Sequence, residues 1–168
     1  YTISGSVGTL EGVTLVGLPG DPATGAGGSY AATVDEGWSG TVTPTKAGYR
    51  FDPVSRNYAS VASDQLNQDY TPTVVHTISG SVGTLEGVTL VGLPGDPVTG
   101  GDGSYSGTVD DGWSGTVTPT KTGYTFDPVS RDYSNVTSDQ PGQDYTPTNT
   151  YTISGSVGTL EGVTLVGL

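Results

Sequence analysis

Tyr1-Thr2-Ile3-Ser4-Gly5-Ser6-Val7 returns as His76-Thr77-Ile78-Ser79-Gly80-Ser81-Val82 and again as Tyr151-Thr152-Ile153-Ser154-Gly155-Ser156-Val157. Two readings follow from this one stretch. Within it, Tyr1, Ile3 and Val7 fall on one parity and Thr2, Ser4 and Ser6 on the other, which is the period of a half-buried β-strand. Between its copies, a constant interval makes the chain a tandem repeat. Residues 1–75 lie on 76–150 without a gap and differ at 17 positions. Residues 151–168 repeat 1–18 without a difference. The chain therefore holds two copies and the opening of a third, and we expect a longer array. Most differences fall where turns are expected: Ala26/Gly101, Gly27/Asp102, Glu36/Asp111, Leu66/Pro141 and Asn67/Gly142.

Working outward from the opening stretch, the rest of each copy reads as strands. No segment has a convincing helical period. Ser and Thr make up about a quarter of the chain, and there are 28 Gly, a composition poor for helix interiors. Seven short strands are expected per copy: 1–7, 12–18, 29–34, 38–43, 49–51, 56–61 and 68–73. Asp35-Glu36-Gly37 reads as a tight hairpin turn, and Lys46-Ala47-Gly48 as a second turn. The expected core is Ile3, Val7, Val13, Leu15, Tyr30, Val34, Trp38, Val42, Phe51, Tyr58, Val61 and Tyr70, with their counterparts in the second copy. The fold class is all-β, with tandem β-sandwich repeats at 1–75 and 76–150. Residues 151–168 are expected to supply the first two strands of an incomplete third repeat. An alternative frame takes the first two strands of each sandwich from the following copy, so that 76–93 completes 19–75. In the first frame 151–168 is left over, with Ile153, Val163, Leu165 and Val166, and in the alternative frame 1–18 is; either way the leftover strands are expected to pair with another chain or copy.

Composition excludes several chemistries. With no Cys there is no disulfide, thiolate zinc site or Cys nucleophile, and a single His excludes His-based triads and multi-His metal sites. A net charge of −12 argues against nucleic acid and anionic membrane surfaces as partners. No apolar run approaches the ~20 residues of a membrane span.

Candidate sites are few. His76 stands where the other copies have Tyr1 and Tyr151, so a role at the junction between copies is expected of it. Asp35-Glu36 and Asp110-Asp111 read as solvated turn tips, and Asp64 with Asp69 form no Ca²⁺ loop motif. An inter-unit Ca²⁺ site stays open on the residues alone. Gly25-Ala26-Gly27-Gly28 lacks the Lys-Ser/Thr of a phosphate loop, and Gly37-Trp38-Ser39-Gly40 is one residue short of a nucleophile elbow. Trp38 and Trp113 are expected in the core, with stacking on a sugar ring as the rival reading. Asn135-Val136-Thr137 is a glycosylation sequon, absent from the first copy, which makes Asn135 a candidate modification site. No catalytic, cofactor-binding or metal-ligating residue is expected.

The run Gly37-Trp38-Ser39-Gly40-Thr41-Val42-Thr43-Pro44-Thr45-Lys46-Ala47-Gly48-Tyr49-Arg50-Phe51-Asp52-Pro53-Val54-Ser55-Arg56-Asn57-Tyr58, then Asp64-Gln65 and Gln68-Asp69-Tyr70, resembles a tandem repeat of large secreted and surface proteins of bacteria. Ile3-Ser4-Gly5-Ser6-Val7 and Gly12-Val13-Thr14-Leu15 are similar to the carboxypeptidase-regulatory-like or CnaB-like sandwich. The resemblance implies a transthyretin-like or Ig-like fold, an extracellular or cell-surface setting and a non-catalytic role. CnaB-like domains often carry an isopeptide bond from a Lys on the first strand. Tyr1–Val7 has no Lys, and only Lys46 and Lys121 exist. The expected function is a structural stalk, fibre or filament whose partners are copies of itself. The alternative is an adhesin or carbohydrate-binding module with glycans as partners.

Overall fold

The computed structural model describes residues 1–159, 161, 162 and 164. Its regular elements are all strands. The first copy supplies β1 (Thr2–Ser6), β2 (Thr14–Val16), β3 (Ser29–Thr33), β4 (Trp38–Thr45), β5 (Tyr49–Asp52) and β6 (Arg56–Val61). A long strand, β7 (Thr71–Ser81), crosses from the first copy into the second. The second copy continues with β8 (Thr89–Val91), β9 (Ser104–Asp110), β10 (Trp113–Thr120), β11 (Tyr124–Asp127), β12 (Arg131–Val136) and β13 (Thr146–Asn149). The all-β class expected from composition and alternation is the class observed.

The ladders follow one rule. β1 pairs with β3, β2 with β4 with β6, β5 with β7 with β9, β8 with β10 with β12, and β11 with β13. All are antiparallel, and each joins strands two apart in chain order. Consecutive strands therefore enter different sheets, and the apolar face of each layer meets the other across the core. This corrects the hairpin expected at Asp35-Glu36-Gly37. The local turn is there: the Trp38 amide donates to the Asp35 carbonyl at 3.1 Å, and Gly37 has φ 79°. Yet β3 pairs with β1 and β4 with β2 and β6. Turn chemistry sets a local reversal only. Which ladder a strand joins is decided by the apolar surface it buries.

β1 is held on both sides. Opposite β3, it runs parallel to residues 65–70. Ser4 donates to the Gln65 carbonyl at 2.9 Å and Gln65 to that of Thr2 at 2.8 Å. Gln68 donates to the Ser4 carbonyl at 3.0 Å and Tyr70 to that of Ser6 at 2.9 Å. Asp64 and Asp69 close the same seam by accepting the Thr2 and Ser6 amides at 2.8 and 2.7 Å. Gly5 permits the approach, because a Cβ there would stand 2.5 Å from the Gln68 carbonyl oxygen. The seam recurs in the second copy, with Asp139 and Asp144 accepting from Thr77 and Ser81.

Each copy has its own core. The first gathers Ile3, Val7, Val13, Leu15, Leu18, Tyr30, Val34, Val42, Phe51, Val61 and Tyr70. The second gathers their counterparts from Ile78 to Tyr145. Each copy thus draws its first two strands from its own beginning, β1 and β2 in one, the Thr77–Ser81 part of β7 and β8 in the other. Two expected core members sit at its margin: Trp38 and Tyr58 are half-buried, as are Trp113 and Tyr133. Their rings pack on each other at 5.8 Å in both copies.

Two buried polar residues escaped the sequence reading. Thr24 and Thr99 are each 3 % exposed. The Thr24 hydroxyl accepts the Val13 amide at 3.0 Å and donates to the Leu10 carbonyl at 2.6 Å.

Tyr151–Val157 takes a different conformation from the identical Tyr1–Val7 and from His76–Val82, which differs from it only at the first residue. It contains no strand, and Ile153 is 79 % exposed where Ile3 and Ile78 are fully buried. In the first copy the corresponding strand is flanked by Ser29–Thr33 and Gln65–Tyr70. The second strand expected in this segment, with Val163, Leu165 and Val166, lies outside the described residues.

Candidate functional site

Several of the residues that differ between copies lie where the copies meet. β7 pairs with β5 through Thr71–Val74 and with β9 through Val75–Ser81, so one strand belongs to both ladders without a linker. Around it, the Val75 amide donates to the Gly48 carbonyl at 2.9 Å and the Asp111 amide to the Val74 carbonyl at 3.0 Å. Arg50, on β5 of the first copy, donates from Nε and Nη2 to the two carboxylate oxygens of Asp110 at the end of β9, at 2.6 and 2.7 Å. Such a fork fixes orientation as well as distance. Both side chains are about half exposed, 54 % and 47 %. The Arg50 guanidinium holds the Asp110 carboxyl below the usual carboxylate range, and Asp110 in turn raises that of Arg50.

His76 sits at this junction. Its Nε2 lies 2.7 Å from Asp111 Oδ1, and its side chain is 14 % exposed. The structure thus brings together His76, Asp110 and Asp111 with Arg50. Sequence reasoning missed Arg50. Its signal was the Arg50/Thr125 difference, an unrepeated charge with nothing local to explain it. Asp110 and Asp111 are here engaged by a cation and a His. Among the described residues, no three His, Asp or Glu side chains stand close enough to hold a metal ion.

The remaining candidates stay apart. Asp35 and Glu36 are exposed. The Lys46 ammonium donates to the Glu11 backbone carbonyl at 2.9 Å, and Lys121 does the same to Glu86. Gly25–Gly28 closes a turn, the Gly28 amide donating to the Gly25 carbonyl at 2.9 Å. Asn135 is exposed on β12 with φ 50°, its amide donating to Ser114 Oγ at 2.8 Å. Trp38 and Trp113 lie over Gly40 and Gly115, where a Cβ would come within 2.6 and 2.4 Å of the indole. Trp113 also lines an inter-copy cleft of about 460 Å³ with Pro94, Thr108, Arg50 and Asp110.

A second cluster is structural. The Arg56 guanidinium stacks 5.3 Å from the Tyr70 ring centroid and donates to the Asp69 carbonyl at 2.7 Å. Tyr30 donates to the Gln68 carbonyl at 2.5 Å. Burial pushes the Tyr70 and Tyr145 phenols up to about 12, and those of Tyr30 and Tyr105 higher still.

No protein-family model and no curated protein matches the chain. Among solved structures it is similar to the minor pilin GBS52 of Streptococcus agalactiae, at 8 % identity and TM-score 0.35, over 93 % of this chain and 100 % of that one. It is also similar to the Bacillus anthracis TIE protein, at 11 % identity and TM-score 0.34 over 88 % of this chain. The chain spans about a third (34 %) of that protein's length. No helix among the described residues is long and apolar enough to cross a membrane.

Proposed function

We propose that the chain is a non-catalytic structural segment of a bacterial surface or secreted protein. In this reading, Ig-like sandwich units at 1–75 and 76–150 are joined in series as part of a stalk or fibre. The observation that carries it is β7, which leaves one copy's ladder and enters the next without an intervening loop. A chain whose task is to hold distance gains from such a joint, because flexible linkers are what let tandem units collapse on one another. The −12 net charge favours solubility of a long array through self-repulsion. The next copy of the repeat is the natural partner of each unit, including the one opened by 151–168.

Residual dipolar couplings on the 168-residue chain test the serial joint: one alignment tensor should fit both copies. Two independent tensors would refute a stiff stalk. Labelling of intact producing cells with an antibody to the chain tests the surface location, and signal only after lysis would refute it.

The cleft beside Trp113 favours a second reading, saccharide binding at the joint. An aromatic wall with an Arg–Asp pair at its rim offers both stacking and hydroxyl partners, in a volume within the range of small-ligand sites. Titration with a glycan panel while observing the Trp113 indole resonance decides it; no perturbation at millimolar saccharide removes this reading.

A further inference from the structure

We propose that the repeat carries two kinds of trailing face, and that the residue at the position of Arg50 decides whether a unit latches the unit that follows. This rests on reading the copies as units in series. The leading face of the second copy presents Asp110 and Asp111 at the turn between β9 and β10. Asp110 is clasped by Arg50, and Asp111 holds the Val74 carbonyl through its amide. The contact is complementary in charge and fixed in angle. It depends on a cation at one position of the preceding unit.

The copies differ at this place. Five of their differences, Arg50/Thr125, Val74/Asn149, Val75/Thr150, Tyr1/His76 and Glu36/Asp111, fall on residues that form the junction. The trailing face of the second copy has Thr125, which is neutral and too short for a bidentate pair with a carboxylate. The backbone part of the junction is retained there, since Thr150 donates to the Gly123 carbonyl at 2.8 Å. The first copy, conversely, presents the acidic turn. Asp35 and Glu36 are exposed and stand where Asp110 and Asp111 stand in the second. Its leading face is therefore an acceptor for a preceding unit of the arginine kind. The charged groups facing this contact are Arg50 and Asp52 from β5, His76 from β7, and Asp110 and Asp111 from the β9–β10 turn. The outcome is a sequence-coded choice between a latched and an unlatched joint.

Arg50→Thr converts the first joint into the second kind within the 168-residue chain. The readout is amide hydrogen exchange at Asp111, whose amide crosses the joint, with Val117 in the core as the internal standard. An exposed pair of this type changes a local opening equilibrium about two- to fivefold. Asp111 exchange should therefore rise by that factor in Arg50→Thr, with Val117 unchanged. It should rise similarly in Asp110→Arg and return to the original rate in the swap Arg50→Asp with Asp110→Arg. Sodium chloride at 1 M should raise it in the parent and leave Arg50→Thr unaffected. An unchanged Asp111 rate in Arg50→Thr, or a swap that restores nothing, overturns the latch. The serial arrangement has its own readout in the dipolar couplings.

Discussion

Replacing Thr99 by Val keeps the side-chain shape and removes one hydroxyl. That hydroxyl accepts the buried Val88 amide at 3.0 Å and donates to the Leu85 carbonyl at 2.6 Å. The residue is 3 % exposed, so water cannot readily replace it at the Val88 end. An orphaned buried donor costs about 1–3 kcal/mol. The half-buried Leu85 carbonyl adds about 0.5–1 kcal/mol, because solvent reaches part of it. We expect about 2–3 kcal/mol in total, a large share of the ~4–11 kcal/mol available to a unit of this size. The assay is urea unfolding followed at Trp113 in a Trp38→Phe background. With a slope near 1 kcal/mol per M, the midpoint should fall by about 2 M or more. Thr99→Ser keeps the hydroxyl and loses a methyl, and should cost only about 1 kcal/mol. Thr24→Val should reproduce the effect in the first copy, where the two distances are also 3.0 and 2.6 Å. The reasoning fails if Thr99→Val leaves the midpoint within about 0.5 M of the parent, or if Ser is worse than Val.

Gly115→Ala would place a Cβ 2.4 Å from the Trp113 indole; we expect about 1–3 kcal/mol of destabilisation and a shifted Trp emission, measured by the same urea series. The Asp110 carboxyl is lowered by Arg50, so its contribution to the joint is present above the ordinary carboxylate range and lost as pH falls through the lowered value. A carbon-detected titration should find the Asp110 midpoint below the usual ~3.9 in the parent and higher in Arg50→Thr. The Tyr70 and Tyr145 phenols, raised to about 12, favour the folded state at neutral pH. That contribution begins to fall above the ordinary phenol value of ~10 and is gone above the raised one. Ultraviolet titration should show these phenols ionising late, and in step with unfolding.

The strands and most of the core were legible because a period-2 pattern with β-branched and aromatic residues marks a half-buried strand directly. Ile3, Val7, Val13, Leu15, Val42 and Tyr70 were found this way. Leu18 was left out of the core because a strand running through 12–18 puts it on the face opposite Val13 and Leu15; the strand ends at Val16, and Leu18 is 2 % exposed. Trp38 and Tyr58 were placed too deep: an indole lying over Gly40 needs no cavity of its own, and alternation cannot distinguish the core from its rim. The sheet order was not legible, since tight turns at Gly37 and Gly48 look alike whether the next strand pairs with the last or crosses over. The junction was half legible. His76 announced itself as an exception, but Arg50 and Asp110 are 60 positions apart in the chain, and no local pattern joins them.

The parallel seam between β1 and residues 65–70 has a mechanical consequence. A pull between residue 1 and residue 75 draws these neighbours past each other along their length. It does not peel them apart. The four backbone bonds of the seam are then strained together, with the Asp64 and Asp69 bonds beside them. Because β7 is both the exit of one copy and the entrance of the next, tension leaving the first seam arrives at the second, between Thr77–Ser81 and residues 140–145, with no slack to take up.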